Sequence, residues 1–450
     1  MNVQKPLGLW EIVLYGAAMN LGIRWLATGA AAGPMALPIW IIAAIVFLVP
    51  LMLATLALSQ RFPGEGAVYA WTRDTQGPLA GFLCGWFYWA SVLPFFAGLL
   101  VFTVNLLGGT VGGELGAWLV TPLGVILASS GLIMAIGVMH AAGIGVGKWM
   151  PLIGASVTLA LVAFIIFGGF YLAARSGSAT DFAQARYLPK LDANAAILWS
   201  TMIFAFGGAE GIALLRSQAR GGLGAIKLAV VMIGIGLMLA YAIGTAAMLM
   251  VLPQDQTSRL GGLPEVLQLM LQKLSSPQLA PVVLVGLSVA LLGGLSSWFG
   301  AAARLPFAAG LSHALPPAFA KLDPKTGAPV NAIWVQTALV IILLVLSQAG
   351  TSVAGAYDFM IAMGTLSFAL PYLFMFVAWW KITEGNHGKL GAAVGFSITL
   401  SAILGSLVPS PDAGDPVTSI LKLLAATLVM TASGVGLYYA GSKSAGPPFK

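Results

Sequence analysis

Runs of about 20 apolar residues recur along the whole chain, separated by short polar or Gly/Pro-rich joints, and this is the length an α-helix needs to cross a bilayer. They predict twelve membrane helices, over residues 8–31, 36–60, 78–107, 117–140, 149–173, 194–217, 224–251, 278–303, 330–349, 356–380, 391–408 and 417–440. The first run is expected to stay in the membrane, because Arg24 interrupts it and no small-residue cleavage site precedes helix 2. Two runs are interrupted at mid-depth, helix 1 by Gly22-Ile23-Arg24 and helix 6 by Gly207-Gly208-Ala209-Glu210. In a bilayer a helix gives up backbone hydrogen bonds only where the freed groups line a cavity or meet a ligand. A matched pair of broken helices therefore predicts a central binding site.

Helices 1–5 (residues 8–173) and 6–10 (residues 194–380) read as two repeats. Each opens with a broken helix, and each carries an amphipathic stretch between its second and third members, Pro63 to Trp71 and Leu263 to Met270. Five is odd, so the halves insert with opposite topology. The expected fold is an all-α polytopic membrane protein with a five-plus-five inverted repeat and two additional helices over residues 391–440. All of it forms one transmembrane transporter domain, residues 1–450, with substrate held near the midplane.

Composition agrees: 59% of the 450 residues are hydrophobic and 8% are charged, which leaves no room for a soluble domain. With both termini in the cytoplasm, fourteen of the 21 Lys and Arg residues fall inside and six outside, so the net charge of +7 is mostly a topology signal. The basic residues sit singly in short loops, which speaks against nucleic acid as a partner. Cys84 is the single cysteine, so neither an intramolecular disulfide nor a cysteine zinc cluster is available. His140, His313 and His387 fall at helix ends or loops, and none has a carboxylate at helical spacing. With so few mid-membrane carboxylates there is no catalytic cluster, and an enzyme is not expected.

The stretch Leu7 to Pro34, with its Leu-Gly-Ile-Arg interruption, resembles the opening of amino acid permeases of the amino acid–polyamine–organocation superfamily, where a Gly-x-Gly-Ile-Phe type sequence unwinds helix 1. Leu58 to Trp71 looks like that family's cytoplasmic loop after helix 2, and Gly81 to Trp89 like its helix 3. Phe204 to Glu210 is similar to its helix 6 break, and Gly293 to Phe319, followed by Gly327-Ala328-Pro329-Val330-Asn331, to its helix 8 and the following loop. The resemblance implies a carrier of a small amine-bearing substrate, usually an α-amino acid. Its carboxylate would rest on backbone amides of helix 1 and its amine on carbonyls of helix 6. Half-helix ends of opposite polarity suit a zwitterion in the same way.

The expected substrate site comprises Leu21, Gly22, Ile23, Arg24, Phe206, Gly207, Gly208, Ala209 and Glu210, with Tyr88 and Trp298 as lining aromatics. The glycines let backbone approach a ligand closely; the plainer reading is tight helix crossing. Aligned on Leu7-Gly8-Leu9-Trp10, Arg24 stands where the family has its second glycine. An ionised side chain there costs at least about 2.5 kcal/mol unless it finds a partner or water. An Arg24–Glu210 pair across the site is the economical expectation. Such a pair serves as a static brace, or Arg24 takes the substrate carboxylate. Ala209 replaces a bulky aromatic of many relatives, with Phe206 or Trp298 as substitutes for the lost bulk. The family's acidic pair after helix 6 is replaced by Ser217 and Gln218.

No cofactor or resident metal is expected, only a coupling ion, Na+ or H+. The apolar run from Leu152 to Leu172 lacks the lysine that some relatives carry in helix 5. Ser296 and Ser297, with the carbonyls of Ala18 and Leu21, form a candidate cation site of hard oxygens. Adjacent membrane serines also commonly bond their own i−4 carbonyls. Protonation of Glu210 is the other route to coupling. The expected function is a secondary active transporter of an amino acid or related small amine in the cell membrane. A polyamine or organocation carrier, or a non-transporting sensor on the same scaffold, are the alternatives.

The Lys/Arg bias makes residues 252–277 extracellular and both termini cytoplasmic. In a Cys84→Ala background, a cysteine at Ser258 should react with an impermeant maleimide in intact cells, and one at Ser442 should not. Labelling at 442 but not at 258 would invert the topology.

Overall fold

The computed structural model describes residues 8–62, 67–143, 149–188, 192–212, 219–258, 261–304, 315–348, 352–409 and 415–444. Among them, eleven helices are long and apolar enough to cross a membrane. Helix 1 makes the twelfth. It runs as two pieces, Leu9–Asn20 and Arg24–Ala32, each too short to span alone. No strand forms among the described residues.

The remaining spans are helix 2 (Ala36–Arg61), helix 3 (Pro78–Val111), helix 4 (Pro122–Ala141), helix 5 (Trp149–Ser176), helix 6 (Ala193–Ile212), helix 7 (Gly222–Val251), helix 8 (Ala280–Ala302), helix 9 (Val330–Ser347), helix 10 (Val353–Ile382), helix 11 (Asn386–Ser406) and helix 12 (Pro416–Ser444). Helix 4 starts later than the hydrophobic pattern predicts. Residues 117–119 belong instead to a short separate helix, Gly113–Leu119, and Thr121 caps the new start by accepting from the amide of Gly124 at 3.1 Å. Helix 6 is regular over Ala193–Phe206; past Gly207-Gly208 it tightens into a 3-10 turn over residues 209–212. Its predicted continuation to residue 217 lies outside the described residues, as do Pro63–Gly66 and the Ser217-Gln218 replacement.

Short helices Ala67–Gln76 and Gly262–Lys273 occupy corresponding places between the second and third members of each half, as the pattern of amphipathic stretches implies. Helix 2 contains one π turn, Ala44–Leu48, which places Phe47 against Tyr372 and Phe376 of helix 10. The core is continuous from helix 1 through helices 3, 6, 8 and 10. Helices 3 and 10 share an extensive contact, as do helices 5 and 8. Helices 5 and 8 meet backbone to backbone: a Cβ built on Gly154 would stand 2.5 Å from the Cα of Gly293.

Gly154→Val should force this crossing apart and lower stability by about 1–3 kcal/mol, the cost of overpacking. Gly236→Val, on an exposed stretch of helix 7 where a Cβ meets nothing within 4 Å, is the control. Equal thermal denaturation of the two variants would show that the crossing is loose.

Candidate functional site

The break in helix 1 exposes backbone groups that the bilayer cannot satisfy, and side chains from helices 7 and 8 close it. The Tyr241 hydroxyl accepts from the amide of Gly22 at 3.1 Å and donates to the carbonyl of Asn20 at 2.8 Å. The same hydroxyl lies 3.4 Å from the carbonyl of Ala205, so one phenol bridges both broken helices. Trp298 donates its indole N–H to the carbonyl of Met19 at 2.6 Å. The ring of Tyr241 is held between Trp40 and Phe206, at 4.7 and 5.5 Å between centroids.

At the second break Gly208 adopts φ +103°, a conformation that favours glycine. Its amide donates to the Tyr372 hydroxyl at 2.8 Å and to Glu210 Oε2 at 3.1 Å. Glu210 Oε1 accepts from the hydroxyls of Tyr88 at 2.6 Å and Tyr372 at 3.0 Å. The carboxylate thus ties helices 3, 6 and 10 together with neutral donors. The expected Arg24–Glu210 ion pair does not form, because Glu210 is already satisfied by these hydroxyls and its own turn. An ion pair does form between Arg73 and Asp74, on the short helix after helix 2.

Arg24 points elsewhere. It is 1% exposed, its guanidinium carbon lies 4.0 Å from the ring centre of Trp25 and 5.1 Å from that of Phe95, and the Tyr357 hydroxyl is near enough to act on it electrostatically. Beyond Tyr357, neither terminal nitrogen meets a hydrogen-bonding group in regular geometry among the described residues, and neither meets a carboxylate. Both belong to a residue on the wall of a cavity between helices 1, 3, 5, 6, 8 and 10. The Asn20 amide oxygen is without a partner among the described residues, and Asn20 lines the same cavity.

Of the residues expected at the site, the structure brings Leu21, Gly22, Ile23, Arg24, Gly207 and Trp298 together around this cavity. Tyr88, Gly208 and Glu210 stand behind it in the hydroxyl network, and Ala209 is buried nearby in the turn. Phe206 faces Trp40 and Tyr241 instead, and the large rings on the cavity wall here are Phe204 and Trp298. The glycines make room for side chains as much as for a ligand: a Cβ on Gly22 would strike Trp25, and one on Gly207 would strike Phe368.

The hydroxyls of the candidate cation site are engaged apart from one another. Ser296 Oγ pairs with His140 Nε2 at 2.9 Å, and Ser297 Oγ donates to its own i−4 carbonyl, Gly293, at 3.0 Å. Leu21 lines the cavity, and Ala18 lies in the first piece of helix 1. Among the described residues no group of three or more His, Cys, Asp or Glu is placed to hold a metal ion.

Sequence reasoning missed Asn20, Tyr241, Phe368 and Tyr372. A signal existed for two of them. Tyr241 and Tyr372 are phenols set deep in helices 7 and 10 rather than at their ends, where a hydroxyl needs a partner.

The sequence matches the amino acid permease family over residues 7–434, and the chain belongs to that family. It is 22% identical over 408 residues to an uncharacterized transporter of Legionella pneumophila, covering 90% of this chain and 86% of the relative. It is 23% identical over 384 residues to a probable agmatine/putrescine antiporter of Lactococcus lactis, covering 85% and 81%. The crystal structure of MhsT in complex with L-phenylalanine superposes with a TM-score of 0.58 at 16% identity, over 89% of this chain and 98% of that one, and shares the fold. The protein is a multi-pass membrane transporter of small molecules, not an enzyme.

Tyr241→Phe removes the bridge between the breaks and should cost about 1–3 kcal/mol of stability, the penalty for unsatisfied buried backbone groups. Chemical denaturation reads this directly. Unchanged stability would mean that the breaks are satisfied without the phenol.

Proposed function

We propose that this protein is a secondary carrier of an amino acid, moved across the cell membrane by alternating access, with Arg24 receiving the substrate carboxylate. The observation that carries this reading is the buried guanidinium, which has the neutral Tyr357 hydroxyl beside it but no carboxylate, although its residue lines a cavity. A cation so placed is costly until an anion reaches it, and a carboxylate fits the guanidinium fork with two parallel hydrogen bonds. The amides that the family resemblance assigns to the carboxylate are less available here, since Tyr241 already accepts from Gly22. The Asn20 oxygen is an acceptor for the substrate's ammonium group.

A polyamine or organocation substrate is the second reading, and the agmatine/putrescine relative supports it. The wall chemistry disfavours it. A dication in this cavity meets Arg24 and finds no carboxylate among the described lining residues, because Glu210 is turned into the tyrosine network. For coupling, the serines' existing bonds leave a proton through Glu210 better supported than sodium. Uptake at fixed pH with and without sodium separates the two. Uptake into proteoliposomes also separates a carrier from a sensor. The Lys/Arg bias supports both termini in the cytoplasm.

Arg24→Gln separates ligand group from brace. It should leave the ligand-free protein as heat-stable as the native chain or more so, since it removes a buried charge without an anionic partner. Affinity for carboxylated ligands should fall by about 30-fold or more, while amines without a carboxylate bind no worse. Reduced stability with native uptake would reassign Arg24 to scaffolding.

A further inference from the structure

The walls of the central cavity are unequal. On the side of helices 3, 6 and 10, large rings fill the space. Phe204 packs edge-on against Phe95 at 6.1 Å and Phe368 at 5.5 Å, and a Cβ on Gly207 would collide with Phe368. On the side of helices 5 and 8, apart from Trp298, whose indole is bonded to helix 1, the lining carries no large ring: Ala155, Thr158, Ala290, Leu291 and Gly294. Thr158 spends its hydroxyl on the carbonyl of Gly154 at 2.8 Å, so this wall offers apolar surface.

The backbone explains the difference. Helices 5 and 8 touch at Gly154 and Gly293, and the next residue along each, Ala155 and Gly294, lines the cavity. At the touching pair an added Cβ would strike backbone; at Gly294 it would meet nothing within 4 Å. Gly294 therefore borders unfilled space. It lies one turn before Trp298, whose indole is fixed to helix 1.

We infer that this apolar lobe between helices 1, 5 and 8 receives the side chain of the substrate, that Gly294 sets how large that side chain can be, and that the substrate is an amino acid with an apolar side chain. The inference rests on Arg24 holding the carboxylate within the same cavity. An apolar chain placed in the lobe covers Leu291 and Ala290 and displaces water from surfaces that bind it poorly. A charged or strongly polar side chain would lose hydration there without gaining a partner.

The test uses the full-length protein and three probes, L-alanine, L-leucine and L-phenylalanine, with affinities read by ligand-induced thermal stabilisation and by competition in reconstituted vesicles. Gly294→Leu should weaken phenylalanine and leucine by about tenfold or more while leaving alanine within about twofold, the discrimination that a few methylenes produce in an apolar pocket. Gly294→Ala should fall between, with a melting temperature equal to or above the native one, since alanine favours the helix. Ala155→Leu, from the facing helix, should reproduce the size cut if Gly294→Leu folds poorly. Equal weakening of all three probes would make the lobe a route for exit rather than a side-chain site, and no change at all would remove it from substrate contact. Either result overturns the inference while leaving the Arg24 reading intact. A native protein that binds none of the three would overturn the apolar substrate class, whereas native binding of all three that is unchanged in Arg24→Gln would fell the Arg24 reading instead.

Discussion

Everything at the centre of this protein follows from the cost of interrupting a helix where no water can replace the lost hydrogen bonds. Two helices are interrupted, and the freed groups are met by side chains whose polar atoms sit on large apolar rings. Tyr241 answers the amide of Gly22 and the carbonyl of Asn20, Trp298 the carbonyl of Met19, and Tyr372 the amide of Gly208. Phenols and indoles suit this work because the ring packs like a hydrophobe while its tip bonds like water. Helices 7, 8 and 10 thereby hold helices 1 and 6 at their weakest points.

The two buried charges near the breaks are treated differently. Glu210 is surrounded by neutral donors and has no cationic partner in direct contact. Arg24 has aromatic faces on two sides, which compensate it in part through their quadrupoles, a neutral hydroxyl at Tyr357 and no anionic partner. This asymmetry gives the cavity a positive character. Had the pair closed on itself, both charges would have been spent and the cavity would have no electrostatic preference.

Much of the fold was legible in the sequence. The apolar runs gave the spans, and Gly22 and Gly207-Gly208 marked both interruptions, with Gly208 at φ +103° the position whose backbone needs a glycine. The start of helix 4 was not legible, because Gly113–Leu119 continues the same hydropathy and only the cap at Thr121 divides them. At the site, the cavity position of Arg24 followed from its place in the break. Its partner did not. Proximity in a repeat pattern made Glu210 the natural counterion, but sequence spacing carries no information on which way a side chain turns once tyrosines from helices 3 and 10 compete for it. Phe206 and Phe204 illustrate the same limit: two residues apart at the end of a regular helix, they face opposite sides, and only packing decides which one meets the cavity.

The position of Arg24 also bears on how the chain is made. Helix 1 is made before helices 2 to 12, as two short pieces with Arg24 opening the second, and an arginine at the centre of a membrane segment opposes insertion by about 2.5–3.5 kcal/mol. Trp25 travels with it and supplies one aromatic face at once, but Phe95 arrives only with helix 3 and Tyr241 only with helix 7. The surroundings of the helix 1 break are therefore complete only once helices 3 and 7 are in place. The residue that puts a charge on the wall of the central cavity is also the one that makes helix 1 depend on helices that follow it.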